Sequence, residues 1–233
     1  MSLLENKFAS KAELETQLAK SIIAQLSKDI EQSGKAVIAV SGGSTPKALF
    51  EELSNTDIDW SKVVVTLIDE RWVDNQHADS NEKLVRENLL KNKAANATFL
   101  ALKTDDATPE QGMATLEPIL NEVISANISV SILGMGGDSH TASFFPGATT
   151  LFKAIDLDNK AACQNVTPLT APHERMTLTR TRILASNLLA VHITGDDKLE
   201  VFESAKQSAD FNVTPISSIL SQTQKDVQLF WAP

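Results

Sequence analysis

The stretch Gly134 to Gly147, GMGGDSHTASFFPG, follows an apolar run and sets Asp138 and His140 two residues apart. Histidine takes up and returns a proton near neutral pH, and a carboxylate beside it can fix its tautomer and steady its cationic form. The pair therefore suits a general base with its orienting acid. A lone histidine is more often satisfied in a turn, but a glycine-rich loop at a strand end is where open parallel sheets bind ligands. The other histidines point elsewhere. His192 lies inside an apolar run and reads as packed core, while His77 and His173 fall in polar loops and read as solvated. No metal is expected, because no ligand set with metal-site spacing is evident.

Ser41 to Pro46, SGGSTP, joins a β-branched run to a helical stretch. Free N–H groups along Ser41, Gly42, Gly43, Ser44 and Thr45, with the positive end of the helix dipole, would form an anion site suited to a phosphate. Ser44 or Thr45 is expected to cap that helix, with Pro46 in its first turn. The segment lacks the lysine of a P-loop, the spacing of GxGxxG and the GxSxG of a nucleophile elbow, which disfavours nucleoside triphosphates, dinucleotides and a serine nucleophile. DERW brings Asp69, Glu70 and Arg71 to the end of another apolar run, where Arg71 either forks onto a phosphate or pairs with a local carboxylate. Lys198 in TGDDK offers a second positive charge near a helix start.

The elements that must position these segments follow a repeated grammar. Leu14, Leu18, Ile22, Leu26 and Ile30 recur at every fourth residue between Lys11 and Gln32, predicting an amphipathic helix that Gly34 ends. KAVIAV (Lys35 to Val40), VVVTLI (Val63 to Ile68), ISVSIL (Ile128 to Leu133) and LLAVHI (Leu188 to Ile193) are short apolar runs without clean alternation, as in strands buried on both faces. A helix is predicted over Pro109 to Ser125, started by Thr108 and Pro109. Alternating β and α elements imply an α/β fold, a mostly parallel sheet with helices on both faces. Of nine glycines, Gly42, Gly43, Gly134, Gly136, Gly137, Gly147 and Gly195 fall in or beside three loops after predicted strands. Without repeats or linkers, the simplest organisation is one domain over residues 1–233. Leu151 to Arg175, with Pro168 and Pro172 and little periodicity, is predicted as a long loop or lid.

Composition bounds the function. At 233 residues, 42% hydrophobic and 22% charged, the chain can build a sizeable core and is neither disordered nor fibrous. Its one cysteine, Cys163, can form no internal disulfide and is a poor candidate for thiol or zinc chemistry. Twenty-one basic against thirty acidic residues give a net charge of −9, which argues against nucleic acid and anionic membrane surfaces as partners. The start, MSLLENKFASKAELE, lacks a signal-peptide pattern, and no window approaches the roughly 18 apolar residues of a membrane span. A soluble, cytoplasmic protein is expected, as a monomer or weak homo-oligomer.

With these segments together, the chain resembles the 6-phosphogluconolactonases, in the superfamily that also holds the glucosamine-6-phosphate deaminases. The resemblance rests on SGGSTPKALFEEL, TLIDERWV, ILGMGGDSHTASFFPG, ERMTLT and HITGDDK, which appear in family order from about Lys35 to Lys198. It implies a single Rossmann-like α/β domain, no metal or organic cofactor, and hydrolysis of 6-phosphogluconolactone, a sugar-phosphate lactone, in the oxidative pentose phosphate pathway. It places the general base on His140 with Asp138 beside it. Phosphate or substrate contacts fall on the SGGST loop, Asp69, Arg71, Gly136 and Lys198.

Two departures from the family pattern matter. The usual GDGH reads GDSH, so Ser139 carries strain if its position needs positive φ. Where the deaminases are expected to hold a catalytic glutamate, this chain has Ser143, Phe144 and Phe145, which favours the lactonase. The rival readings are a deaminase on the same fold, separable by ammonia release from glucosamine 6-phosphate, and a non-catalytic sugar-phosphate sensor. A nicotinamide-dependent oxidoreductase would require the missing GxGxxG.

Overall fold

A stripe of Leu14, Leu18, Ile22 and Leu26, all fully buried, fixes the first helix against the sheet, and burying each such side chain contributes roughly 1.5–3 kcal/mol. The computed structural model describes residues 2–124 and 127–233. In chain order these form β1 (Leu3–Lys7), α1 (Lys11–Ser33), β2 (Ala36–Val40), α2 (Lys47–Ser54), β3 (Val63–Leu67) and β4 (Asp69–Arg71). There follow α3 (Asn81–Asn88), β5 (Thr98–Leu100), α4 (Pro109–Val123), β6 (Ile128–Leu133), α5 (Leu151–Ile155), β7 (Cys163–Val166) and β8 (Arg175–Leu178). The chain closes with α6 (Arg180–Leu184), β9 (Ser186–Thr194), α7 (Asp196–Lys206), α8 (Ser217–Leu220) and β10 (Val227–Ala232).

Seven strands form one sheet in the order β1-β10-β9-β6-β2-β3-β5, and every neighbouring pair in it is parallel. The α/β architecture with a mostly parallel sheet is therefore as the alternating pattern implied. β2 and β6 are buried along their whole length, which explains their unbroken apolar runs. Ser10 caps α1 by accepting the Glu13 N–H, and Gly34 at φ 78 ends it. Thr108 caps α4, with Pro109 in its first turn. The predicted end of that helix, Ser125, lies outside the described residues.

Two expectations are corrected. The helix after SGGSTP begins at Lys47 with Pro46 in the cap position, and no side chain caps it, so neither Ser44 nor Thr45 serves as its cap. Leu151 to Arg175 is not one long loop. It holds α5, strand β7 and the start of β8, and the short strands make a second, antiparallel sheet in the order β4-β8-β7. Strands of three and four residues are too short to show a period, which is why the sequence reads as irregular there. Among the described residues, no helix is long and apolar enough to cross a membrane.

Candidate active site

The parallel strands deliver their following loops to one edge of the main sheet, and the small sheet closes over that edge. Between them lies a cavity of about 300 Å³, lined by the loop after β2, the loop after β6, the end of β9 and the start of α7, and by β4 and β8. Its volume is at the low end of the usual range for small-molecule sites.

The loop after β6 is tied tightly to itself. The Gly136 N–H donates to the His140 carbonyl at 2.8 Å, the Ser139 N–H to the Gly136 carbonyl at 3.1 Å, and the Thr141 hydroxyl to the Gly134 carbonyl at 2.8 Å. This winding needs Ser139 at φ 63 and Ala142 at φ 52, so the strain anticipated at Ser139 is present. The Ser139 hydroxyl offsets part of it by donating to the Asp138 and Val213 carbonyls.

The winding sets His140 Nδ1 2.5 Å from Asp138 Oδ1. This hydrogen bond holds the Asp138 carboxyl below its ordinary range. An ionised carboxylate only accepts, so the imidazole proton sits on Nδ1 and the Nε2 lone pair is left for another partner. One face of the imidazole stacks on Phe145, with ring centroids 4.3 Å apart and planes 22° from parallel. Gly136 makes room for the pair, since a Cβ there would stand 2.1 Å from His140 Nδ1 and 2.5 Å from Asp138 Oδ1.

The loop of Ser41, Gly42, Gly43, Ser44 and Thr45 lines the same cavity. The Ser41 hydroxyl is committed to the scaffold, donating to the Ile132 carbonyl at 2.9 Å and accepting the Gly134 N–H at 3.3 Å. That bridge locks the two loops together. The amides of Gly42, Gly43, Ser44 and Thr45 have no hydrogen-bond partner among the described residues, as an anion cradle requires. Gly42 is packed so closely on Asn81 that a Cβ would fall 1.8 Å from its Oδ1.

DERW divides its labour. The Glu70 side chain turns away from the cavity and accepts the N–H groups of Arg71, Asn81 and Glu82 and the Ser80 hydroxyl, so it anchors the start of α3. Burial nonetheless pushes its carboxyl above the ordinary range. Asp69 and Arg71 line the cavity. Asp69 accepts the Ser143 hydroxyl at 2.6 Å, and Arg71 donates to the Asp79 carbonyl at 2.5 Å. Among the described residues no carboxylate oxygen forms an ion pair with Arg71, although its charge acts on the nearby Asp79 carboxylate. Lys198 also lines the cavity, about 3.5 Å from where a Gly137 Cβ would be.

Of the residues singled out from sequence, the two loops, Asp69, Arg71, Gly136, His140 and Lys198 all line this cavity, while Asp138 stands behind His140. Among the other lining residues, Arg175, Phe145, Asn81 and His192 had no site role assigned from the sequence. Arg175 is 4% exposed, its Nε and Nη1 have no hydrogen-bond partner, and burial lowers its pKa. A buried guanidinium with unspent donors is poised for an anion. It is the second residue of ERMTLT, a motif quoted whole, and the signal that marks it is an arginine at the start of an apolar strand. Phe145, beneath the Arg175 guanidinium at 5.9 Å, joins the arginine to the imidazole. Asn81 donates to the Asp69 carbonyl at 2.8 Å. His192 is buried in β9 as expected, with Nε2 3.2 Å from Glu15 Oε1, and its residue also lines the cavity. Burial pushes the Cys163 thiol up to about 12, in keeping with an inert cysteine.

The model of the family described as glucosamine-6-phosphate isomerases/6-phosphogluconolactonase matches residues 9–231. The chain belongs to this family. A 6-phosphogluconolactonase of Rhizobium meliloti (strain 1021) is 40% identical over 233 residues, covering 100% of both chains. One from Neisseria meningitidis (strain MC58) is 38% identical over 229 residues, covering 97% of this chain and 98% of the relative. The crystal structure of a 6-phosphogluconolactonase from Shewanella baltica OS155 superposes with a TM-score of 0.96 at 42% identity, covering 100% of this chain and 98% of that one. A monomeric glucosamine-6-phosphate deaminase, at 16% identity and a TM-score of 0.77, shares the fold.

Proposed function

We propose that the chain is a 6-phosphogluconolactonase that hydrolyses 6-phospho-D-glucono-1,5-lactone to 6-phosphogluconate in the oxidative pentose phosphate pathway, using a water activated by His140 and no covalent intermediate. The lactone ester hydrolysis follows from the family and its close relatives. The residue roles rest on the cleft. The observation that carries them is an imidazole with Nδ1 bound to Asp138, in the same cavity as the unpaired cations Arg71, Arg175 and Lys198.

The phosphate is an anion that would meet the free amides of the Ser41 to Thr45 loop and these side chains. Their local charge outweighs the net −9 of the molecule, because screening confines surface charges to about 8–10 Å. With the phosphate held, the ring carbonyl comes to the imidazole. Water attacks the carbonyl carbon as Nε2 takes its proton, and the carbonyl electron pair becomes an oxyanion that loop amides stabilise. Collapse breaks the bond to the ring oxygen, which leaves as an alcohol carrying the proton from the imidazolium. The released acid ionises to the carboxylate. A δ-lactone is an activated ester, so one positioned base, worth roughly 10²- to 10⁴-fold, suffices without a nucleophile. Where a deaminase would need a carboxylate, Phe144 is buried, Phe145 is stacked and Ser143 is spent on Asp69.

The test is a time course of lactone hydrolysis with and without the protein at mildly acidic pH, where spontaneous decay is slow. Acceleration of the lactone reaction without ammonia release from glucosamine 6-phosphate is expected. Absence of acceleration, or turnover of the aminosugar, would contradict the reading.

A further inference from the structure

Outside the cleft, the fold brings together three residues that lie apart in sequence. His77 and Asp79 sit on the loop between β4 and α3, and His173 sits on the turn between β7 and β8. His173 Nε2 lies 2.9 Å from Asp79 Oδ2, His77 Nδ1 lies 3.8 Å from the same oxygen, and the ligand atoms of the three all fall within 4.8 Å of one another. A tetrahedral zinc with bonds of about 2.0–2.1 Å would hold its ligand atoms about 3.3 Å apart, a value that the two contacts bracket. His173 is held at φ 68, in the left-handed region that few non-glycine residues occupy.

We propose that His77, Asp79 and His173 form a binding site for a divalent transition metal of the zinc class, completed by water. Two imidazoles and one carboxylate are the ligand types this class prefers over magnesium or calcium. Uptake exchanges two exposed hydrogen bonds for metal bonds: the Asp79 N–H that His77 Nδ1 accepts at 3.1 Å turns to water, and the bond of His173 Nε2 to Asp79 Oδ2 at 2.9 Å gives way as the Nε2 proton moves to Nδ1 or to solvent. Asp79 Oδ2 already stands between the two imidazoles, within reach of both. The ion would clip the two loops of the small sheet where Arg71 and Arg175 stand opposite each other. It is no part of the hydrolytic step.

The test is metal binding itself. Protein stripped with chelator and desalted is dialysed against zinc and the bound metal is counted, with the visible spectrum of the cobalt-loaded protein as a second readout. One equivalent is expected, with cobalt bands of a four- or five-coordinate site, and binding at least tenfold weaker in His77→Ala and in His173→Asn, where asparagine tolerates the positive φ. Circular dichroism confirms that both variants are folded. Full binding in both variants, no binding by the wild type at micromolar zinc, or loss of the equivalent in His140→Ala would each overturn the proposal, the last by moving the metal to the catalytic cleft.

Discussion

His140 has one nitrogen spent on Asp138 and one left over, and this asymmetry gives the carboxylate its value. Asp138 has a folded pKa below its ordinary 3.8, so its contribution to stability is present above that value and is lost as pH falls through the lower folded one. Asp138→Asn is therefore expected to melt below wild type at about pH 7, with the gap closing toward about pH 3, as thermal denaturation at the two pH values would show. In the same cleft, Arg71→Ala and Arg175→Met are expected to raise KM about tenfold or more while changing kcat far less, because charge-assisted hydrogen bonds to a phosphate are worth roughly 1.5–3 kcal/mol. Steady-state kinetics separates the two parameters. The sequence displayed His140, Asp138 and Arg71 through their loop settings. Arg175 escaped because burial with unspent donors is a property of packing, which no spacing reveals.

The loop after β6 positions its residues by close approach and by strain. Gly136→Ala leaves every catalytic side chain in the sequence but drives a methyl into the His140–Asp138 pair, so kcat is expected to fall at least tenfold in a folded protein. Ser139→Gly removes an L side chain from φ 63 and gives up a hydroxyl bonded to two carbonyls, so the melting temperature is expected to hold or rise slightly, with a change of about 1 kcal/mol at most. A large drop would show that the hydroxyl contributes more than the strain costs. The long elements were legible because their periods are long: α1 repeats its buried stripe over 23 residues. β4, β7 and β8 have three or four residues each, too short to show a period, and β4 finds its partner β8 across more than a hundred positions, as Asp69 with Thr177.

At the scale of the molecule, the parallel sheet brings loops from β2, β6 and β9 to one edge, and the small antiparallel sheet adds Arg71 and Arg175 to the same cavity. The order of β and α elements displays the first half of that arrangement. The second half, like the meeting of His77 with His173, exists only once the chain has folded. The proposed mechanism requires a base and a phosphate grip in a single cleft. It is tested most directly by kcat and KM of His140→Ala on the lactone, with spontaneous hydrolysis subtracted. A fall in kcat of roughly 10²-fold or more with KM nearly unchanged is expected. Wild-type kcat in a folded His140→Ala protein would contradict it.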